Sequence, residues 1–380
     1  MKVMSKTVFL HIGHHKTGTT SIQRFLRVNR DKLSERGFSY FVPQPWPLRI
    51  RPRKDGFDHE VNVEGFKKIQ DLPAKNVIIS HENYSWLYKE SQIKGIRDAL
   101  KSVSDEVKIV VYIRRQDSLA VSQKQEGTKW IDCSLAYGHE LSPLPKKLTK
   151  EAERYLNFYD KLNSWAKFFG EENIIVRAFD PNKLVGGDAI KDFCSTVGLH
   201  IDEGEGFRSI GKVNQSISRK KQIFLHKTRP FFPERTPAKD LLTRSVVNIP
   251  LEDEDKFLPT RREALAFFDK FKKQNKLLEE KYGDSESLFS EDFSMYPESE
   301  LKSRDMDDEE FLSIWYKVME SISEKIKDMS QSEIELSKRL ALKIEKKNPQ
   351  AALELMLHAK RNGGKKTPFI DKKIKQYRKN

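Results

Sequence analysis

A short segment near the start of the chain combines glycine, lysine and threonine in an order suited to holding a phosphate group. It reads Gly13-His14-His15-Lys16-Thr17-Gly18-Thr19-Thr20 and lies between an apolar run and a segment with helical spacing. Backbone N–H groups in a glycine-containing turn can point at an anion, and a helix N-terminus adds partial positive charge there. Lys16 adds a full charge, and the threonine hydroxyls add donors. We predict a phosphate-binding loop; the alternative is an ordinary turn between strand and helix.

A second cation, Arg114, closes a later apolar strand, and Ser122 follows within a predicted helix. A guanidinium can bind one phosphate through two hydrogen bonds, and a nearby hydroxyl can add another. Each residue alone is typical of a protein surface. Because they follow the first loop in this order, we predict that they bind a second phosphate.

The loop differs from the Gly-x-x-x-x-Gly-Lys-[Ser/Thr] loop of nucleotide triphosphatases, since Lys16 precedes Gly18 instead of following it. Those enzymes also need an acidic residue near the magnesium ion, usually at the end of an apolar strand. Arg114 occupies that place after one strand, whereas Glu82 follows another strand and is able to serve as the acid. An ATP-dependent small-molecule kinase therefore stays open as an alternative.

Together these segments resemble the family of sulfotransferases that use PAPS (3′-phosphoadenosine-5′-phosphosulfate). The segment His15–Ser21 resembles the family's 5′-phosphosulfate loop, and Tyr112–Asp117 followed by Ser122 resembles its strand–helix unit for the 3′-phosphate. The segment Tyr159–Leu199 is similar to bacterial members that act on glycans, and Asn214-Gln215-Ser216 to Ser218 is similar to a recurring turn in such proteins. The resemblance covers about residues 6–295.

The resemblance implies PAPS as the sulfuryl donor, adenosine 3′,5′-bisphosphate as the product, and no requirement for a metal. Lys16 would stabilise the charge on the leaving oxygen while the loop holds the 5′ end, and Arg114 and Ser122 would hold the 3′-phosphate. The general base would be Glu82 or His81, although both can instead cap the next helix. The residues expected to bind the donor are His15, Lys16, Thr17, Gly18, Thr19, Thr20, Ser21, Arg114 and Ser122.

The elements that must position these residues are nearly continuous apolar strands alternating with helices. Strands are predicted at residues 7–12, 76–80, 107–113 and 173–177, and helices at 19–33, 91–103, 117–130 and 152–169. This pattern is typical of a parallel sheet covered on both faces, so we predict a three-layer, P-loop-like α/β domain. Residues 43–58, rich in proline and arginine, are predicted to form a long loop. Helices are also expected at 214–225, 261–282 and 309–347.

Composition limits the remaining possibilities. The chain has 380 residues with 37% hydrophobic residues, which excludes global disorder, and it carries a net charge of +14. From residue 338 onward 14 Lys and Arg stand against 3 Asp and Glu, so this tail carries +11 and the rest only +3. We predict an α/β domain at residues 1–298 and a helical appendage with a basic tail at 299–380.

The tail can bind an anionic membrane face or an acidic glycan, or act only as a solubilising surface. Specific nucleic-acid binding is not expected, because the main body carries little net charge. Cys133 and Cys194 suit a reducing compartment, and no segment is predicted to span a membrane, so we expect a cytoplasmic protein. The predicted partner is a glycan or another hydroxyl-bearing acceptor. A non-catalytic protein that binds anions or glycans stays open as the other alternative.

Overall fold

The computed structural model describes residues 5–53, 56–129, 136–138, 140–201, 206–211, 217–231, 236–251, 255–283, 287–299, 305–346, 348–362 and 368–378. Packing divides the chain into two compact units. The first consists of Met1–His226 and Glu254–Arg304, and the second of Lys227–Asp253 and Asp305–Asn380. The second unit therefore differs from the predicted appendage by including residues 227–253.

The first unit is built on a five-stranded parallel sheet. The described strands are β1 (Thr7–His11), β2 (Phe38–Tyr40), β3 (Leu48–Arg53), β4 (Gly56–Val61), β5 (Asn76–Ser80), β6 (Glu106–Ile113) and β7 (Ile174–Ala178). The sheet has the order β2-β5-β1-β6-β7, and His11 at the end of β1 lies in register with Ser80 and Val110. Because all of its strands are parallel, the loops after β5, β1 and β6 leave from the same edge.

Helices cover both faces of this sheet. Those of the first unit are α1 (Thr19–Val28), α2 (Arg30–Glu35), α3 (Glu90–Lys101), α4 (Gln116–Lys129), α5 (Lys150–Leu156), α6 (Phe158–Phe169), α7 (Ala189–Thr196), α10 (Arg261–Asp269) and α11 (Lys272–Tyr282), while α8 (Arg219–Thr228) continues into the second unit. Val8 and Leu10 pack with residues of α3 and α6, whereas Phe9 packs with residues of α1 and α7. Alternation along a strand thus separates two cores, which confirms the predicted three-layer α/β fold.

Several local predictions were wrong in detail. The predicted loop at residues 43–58 contains most of an antiparallel hairpin, in which Leu48 of β3 pairs with Val61 of β4. Strand β3 alternates apolar residues with arginines but contains Pro52, which argues against a strand, and β4 has no alternating pattern, so the pairing reveals the hairpin. The predicted helix at 19–33 divides at Asn29, and the helix at 152–169 divides at Asn157, which caps α6 through its side chain. Asparagine favours helix ends because its side chain competes for backbone hydrogen bonds.

The second unit is helical. It contains α9 (Pro237–Asn248), α12 (Asp308–Ile344), α13 (Pro349–Asn362) and α14 (Pro368–Tyr377). The last three share a core formed by Ile334, Ala341, Ala352, Met356, Ala359, Ile370, Ile374 and Tyr377. Small alanines at the contact allow the helix axes to approach closely. None of the described helices combines the length and the apolar character that crossing a membrane requires.

Candidate functional site

The predicted phosphate loop connects β1 to α1 in a conformation that depends on two glycines. Gly13 and Gly18 have φ angles of +69° and +79°, and Lys16 between them has +64°. A Cβ on Gly13 would lie 2.8 Å from Cα of Glu82, and one on Gly18 would lie 2.9 Å from Cβ of Ala189. The loop therefore packs on the candidate base at one end and on α7 at the other, and larger residues do not fit at either glycine.

The loop is braced by its own threonines. The hydroxyls of Thr17 and Thr19 both donate to the carbonyl of His14, at 2.6 and 3.2 Å. Both hydroxyl donors are therefore used within the loop. If Thr17 and Thr19 bind an anion, they do so through their backbone N–H groups. The N-cap residue of α1 is Gly18. Because glycine has no side chain, this residue cannot cap the first backbone N–H groups of the helix.

One cavity of about 460 Å³ brings the two predicted phosphate sites together. Lys16, Gly18 and Ser21 line it from the loop and α1, and Arg114 and Ser122 line it from the end of β6 and from α4. Other lining residues, for which the sequence by itself predicts no individual role, include Ser118, Gln125, Phe179, Leu184, Ile190, Ile210, Lys256, Phe257, Leu258 and Met295. The cavity therefore combines cations and hydroxyls with an extensive apolar wall.

Both predicted phosphate-binding cations have hydrogen-bond or ion-pair partners in the loop or in α4. The Arg114 guanidinium donates from Nε to Ser118 Oγ at 2.8 Å and from Nη1 to the carbonyl of Lys16 at 3.3 Å. Nζ of Lys16 lies 3.2 Å from a carboxylate oxygen of Glu126 on α4. Burial alone would raise the pKa of Glu126. The positive charges of Lys16 and Lys129 lower it by more, so the net pKa lies below the usual carboxyl range. Lys16 thus has an anionic partner that an incoming phosphate would have to replace.

The neighbouring arginine has a different task. Arg115 forms an ion pair with Asp117 at 2.8 Å and donates to the carbonyls of Ser290 and Asp292. Its guanidinium also lies 3.7 Å from the centre of the Phe293 ring. These contacts join α4 to the segment after α11, so Arg115 is structural whereas Arg114 faces the cavity.

Glu82 and His81 follow β5 at the same edge of the sheet. Gln23 of α1 donates through Nε2 to a carboxylate oxygen of Glu82 at 3.0 Å and to the Ser80 carbonyl at 3.2 Å. Burial raises the pKa of Glu82, but His15, His81 and this hydrogen bond lower it, and the net pKa lies below the usual range. Glu82 is thus a fixed carboxylate that is ionised at neutral pH. Gln23 was missed because nothing in the sequence relates it to Glu82.

His81 caps the turn that follows it. Its Nδ1 accepts the backbone N–H of Asn83 at 3.0 Å, so the neutral ring carries its proton on Nε2. Burial lowers the pKa of His81, and the Glu82 carboxylate offsets part of this shift. His81 therefore caps the turn after β5, which is the alternative to a role as general base.

His15 is bound away from the cavity by Tyr155 of α5. The Tyr155 hydroxyl accepts the backbone N–H of His15 at 2.9 Å and lies 2.9 Å from its Nδ1. Burial, partly offset by Glu82, lowers the pKa of His15 to about 4. Nζ of Lys161 lies 4.1 Å from the Tyr155 ring centre and 3.3 Å from Nε2 of His14. Tyr155 and Lys161 thus hold the two histidines of the loop in place. These contacts join distant parts of the chain, so they are evident only from the tertiary structure.

The structure thus separates the predicted residues into two groups. Lys16, Gly18, Ser21, Arg114 and Ser122 line the cavity, whereas the lining within the described chain does not include the others, namely His15, Thr17, Thr19, Thr20, His81 and Glu82. Asn214, Gln215, Ser216 and Cys133 lie outside the described residues. Across the described ranges, no group of three or more His, Cys, Asp or Glu side chains is arranged to hold a metal ion.

The chain is similar in sequence to an archaeal protein and in structure to a bacterial one. No protein-family model matches the chain. An uncharacterized protein of Archaeoglobus fulgidus is 25% identical over 222 residues, which are 56% of this chain. The chain spans only 57% of that relative's length. The crystal structure of a sulfotransferase from Alicyclobacillus acidocaldarius is 15% identical, with a TM-score of 0.37, and the match covers 72% of this chain and 94% of the other.

Proposed function

We propose that the chain is a sulfotransferase that moves a sulfuryl group from PAPS to a hydroxyl of a carbohydrate. The observation that carries this proposal is the single cavity in which Lys16 and the start of α1 meet Arg114 and Ser122. A donor with phosphates at both the 5′ and 3′ positions requires two cationic sites linked by room for a nucleoside. The apolar lining around Phe179 and Phe257 suits the nucleoside, while the lysine and the arginine suit the two anionic ends.

The residues fit the chemistry that this reaction needs. Attack of the acceptor oxygen on sulfur forms one S–O bond, while the bond from sulfur to the 5′-phosphate oxygen breaks. Lys16 would stabilise the negative charge that develops on that leaving oxygen. Arg114 would bind the 3′-phosphate, and the hydroxyls of Ser118 and Ser122 lie on the same helix, one turn apart. The product nucleotide is adenosine 3′,5′-bisphosphate.

Glu82 is the better candidate for the general base. A base must accept the proton of the acceptor hydroxyl, and the Glu82 carboxylate, which is ionised at neutral pH, has oxygen lone pairs that can do so. His81 would need a free lone pair, but its Nδ1 already accepts the Asn83 N–H. The hydrogen bond from Gln23 and the contact with Gly13 place Glu82 beside the loop.

The donor site is tested by calorimetric binding of adenosine 3′,5′-bisphosphate without metal. We expect wild-type protein to bind it, and Arg114→Ala to bind at least about 100-fold more weakly, because one charge-assisted bidentate contact contributes roughly 3 kcal/mol. Arg97→Ala on α3 is the matched control, because it removes the same charge outside the cavity lining.

Unchanged binding in Arg114→Ala would refute the assignment of the 3′-phosphate site. Binding of ATP with Mg²⁺ in place of the bisphosphate would favour the kinase alternative, with Glu82 near the metal. Anion binding that survives Lys16→Met and is lost on removal of the basic tail would favour a non-catalytic binding protein.

Glu126→Gln is expected to strengthen binding of the bisphosphate by about fivefold, which corresponds to about 1 kcal/mol. The substitution removes a carboxylate 3.2 Å from Lys16 and releases the ammonium for the phosphate. Calorimetry measures the change, with Glu90→Gln as the control, because Glu90 pairs with the exposed Lys167. Weaker binding in Glu126→Gln would mean that this carboxylate instead holds Lys16 in its binding orientation.

A further inference from the structure

The segment between β2 and β3 places a tryptophan beside the proposed base. Trp46 lies 4.6 Å from His81 between ring centres, with the two rings nearly perpendicular at 73°. His81 directly precedes Glu82 and acts electrostatically on its carboxylate, so Trp46 packs on the residue next to the candidate base. Trp46 is 36% exposed, although a large aromatic side chain is usually more buried than this.

This tryptophan is held in place by its backbone neighbours. The segment begins beside the sheet, where the Phe41 N–H donates to the Ile78 carbonyl at 2.9 Å. It ends beside the hairpin, where the Asn62 N–H donates to the Pro47 carbonyl at 2.8 Å. A Cβ on Gly65 would lie 3.0 Å from the backbone nitrogen of Gln44, so the chain packs closely there. Trp46 is thus an exposed aromatic on a backbone that is fixed at both ends.

Aromatic and polar side chains also lie around His15, which acts electrostatically on His81 and on Glu82. The Trp86 and Tyr155 rings have centres 3.8 Å apart and planes tilted by 32°, and the His15 ring centre lies 6.0 Å from that of Trp86. Imidazoles and a carboxylate can exchange hydrogen bonds with hydroxyls, whereas indole presents a flat apolar face.

We propose that Trp46 is the acceptor platform, on which a sugar ring lies with its apolar C–H face while one hydroxyl is directed at Glu82. A sugar ring suits this surface because it has an apolar face and an edge of hydroxyls. Trp46 then selects carbohydrate acceptors and orients the hydroxyl that reacts. This inference deepens the proposed function and rests on it for the identity of the reaction.

The test is saturation-transfer NMR with cellotetraose, chitotetraose and maltotetraose as probes, and with cyclohexanol and 4-nitrophenol as non-sugar compounds. In the wild-type protein we expect at least one tetrasaccharide to receive saturation on its ring C–H protons. Trp46→Ala should weaken that binding by about tenfold or more, and Trp46→Phe should restore part of it, since a smaller ring still offers a stacking face.

The matched control is Trp315→Ala in the second unit, because Trp315 is 37% exposed and hence nearly equal in accessibility. It should bind the sugars like wild type. Calorimetry with adenosine 3′,5′-bisphosphate on the same variants tests the donor site separately from the sugar platform. Trp46 does not line the donor cavity, so Trp46→Ala should bind the bisphosphate like wild type. A protein that binds sugars through Trp46 but not the bisphosphate would refute the sulfotransferase proposal alone.

Three results would overturn the platform. Sugar binding that is unchanged in Trp46→Ala would exclude Trp46 as the contact surface. Binding of 4-nitrophenol in place of every sugar, lost in Trp46→Ala, would make the acceptor a phenol. Wild-type protein that binds the bisphosphate but none of the tetrasaccharides would likewise refute the sugar platform.

Discussion

Replacing Glu82 with glutamine is expected to lower the turnover number by roughly 10²- to 10⁴-fold, the range in which a positioned general base contributes. Glutamine keeps the size of the side chain and can still accept the hydrogen bond that Gln23 donates at 3.0 Å. It cannot take a proton from an acceptor hydroxyl at neutral pH. The rate is measured as release of adenosine 3′,5′-bisphosphate from PAPS with the tetrasaccharide that binds best.

The pH dependence gives this prediction a second readout. Because the pKa of Glu82 is lowered below its ordinary value of 4.5, the carboxylate is charged at neutral pH. The wild-type rate should fall only as the pH drops through that lowered pKa, and Glu82→Gln should lack this acidic limb. His81→Gln is the control, and it should retain the limb because the ring acts as a cap. Loss of the rate in His81→Gln but not in Glu82→Gln would reverse the two assignments.

Replacing Lys16 with methionine is expected to lower the turnover number by about 10²- to 10³-fold, comparable to the loss of one oxyanion-stabilising donor. Lys16 is the cation in the loop between β1 and α1, and it lines the cavity together with Arg114. Methionine keeps an unbranched side chain of similar length and removes the charge. The effect should fall mainly on turnover, because the charge on the leaving oxygen grows in the transition state.

The backbone conformation at residue 16 affects lysine, methionine and arginine alike, so the variants differ mainly in charge. Lys16 has a φ angle of +64°, a region that disfavours every L-residue with a side chain, so lysine, arginine and methionine have similar backbone strain there. Lys16→Arg should therefore recover part of the rate by restoring the charge. If Lys16→Met turned over as fast as wild type, the leaving oxygen would be stabilised by another group, and Lys256 in the same cavity would be the next to test.

Local sequence predicted four of the five strands of the sheet, all except β2, and the glycine-containing loop after β1. The run at residues 76–80 coincides with β5, and the run at 107–113 differs from β6 by one residue, because buried parallel strands are almost continuously apolar. Gly13 and Gly18 were recognisable because positive φ angles and close approaches select glycine. The hairpin β3–β4 was not predicted, because Pro52 in β3 argues against a strand and β4 has no alternating pattern.

The sequence by itself thus determined an α/β fold with a cationic loop after the first strand, Arg114 after β6 and Glu82 after β5. Tertiary structure alone decided which of two adjacent arginines faces the cavity, because Arg114 reaches the carbonyl of Lys16 whereas Arg115 reaches that of Ser290. It also decided that Glu126 pairs with Lys16, that Gln23 holds Glu82, and that Trp46 stands beside His81. These contacts join residues far apart in the chain, and no local periodicity or spacing encodes such pairs.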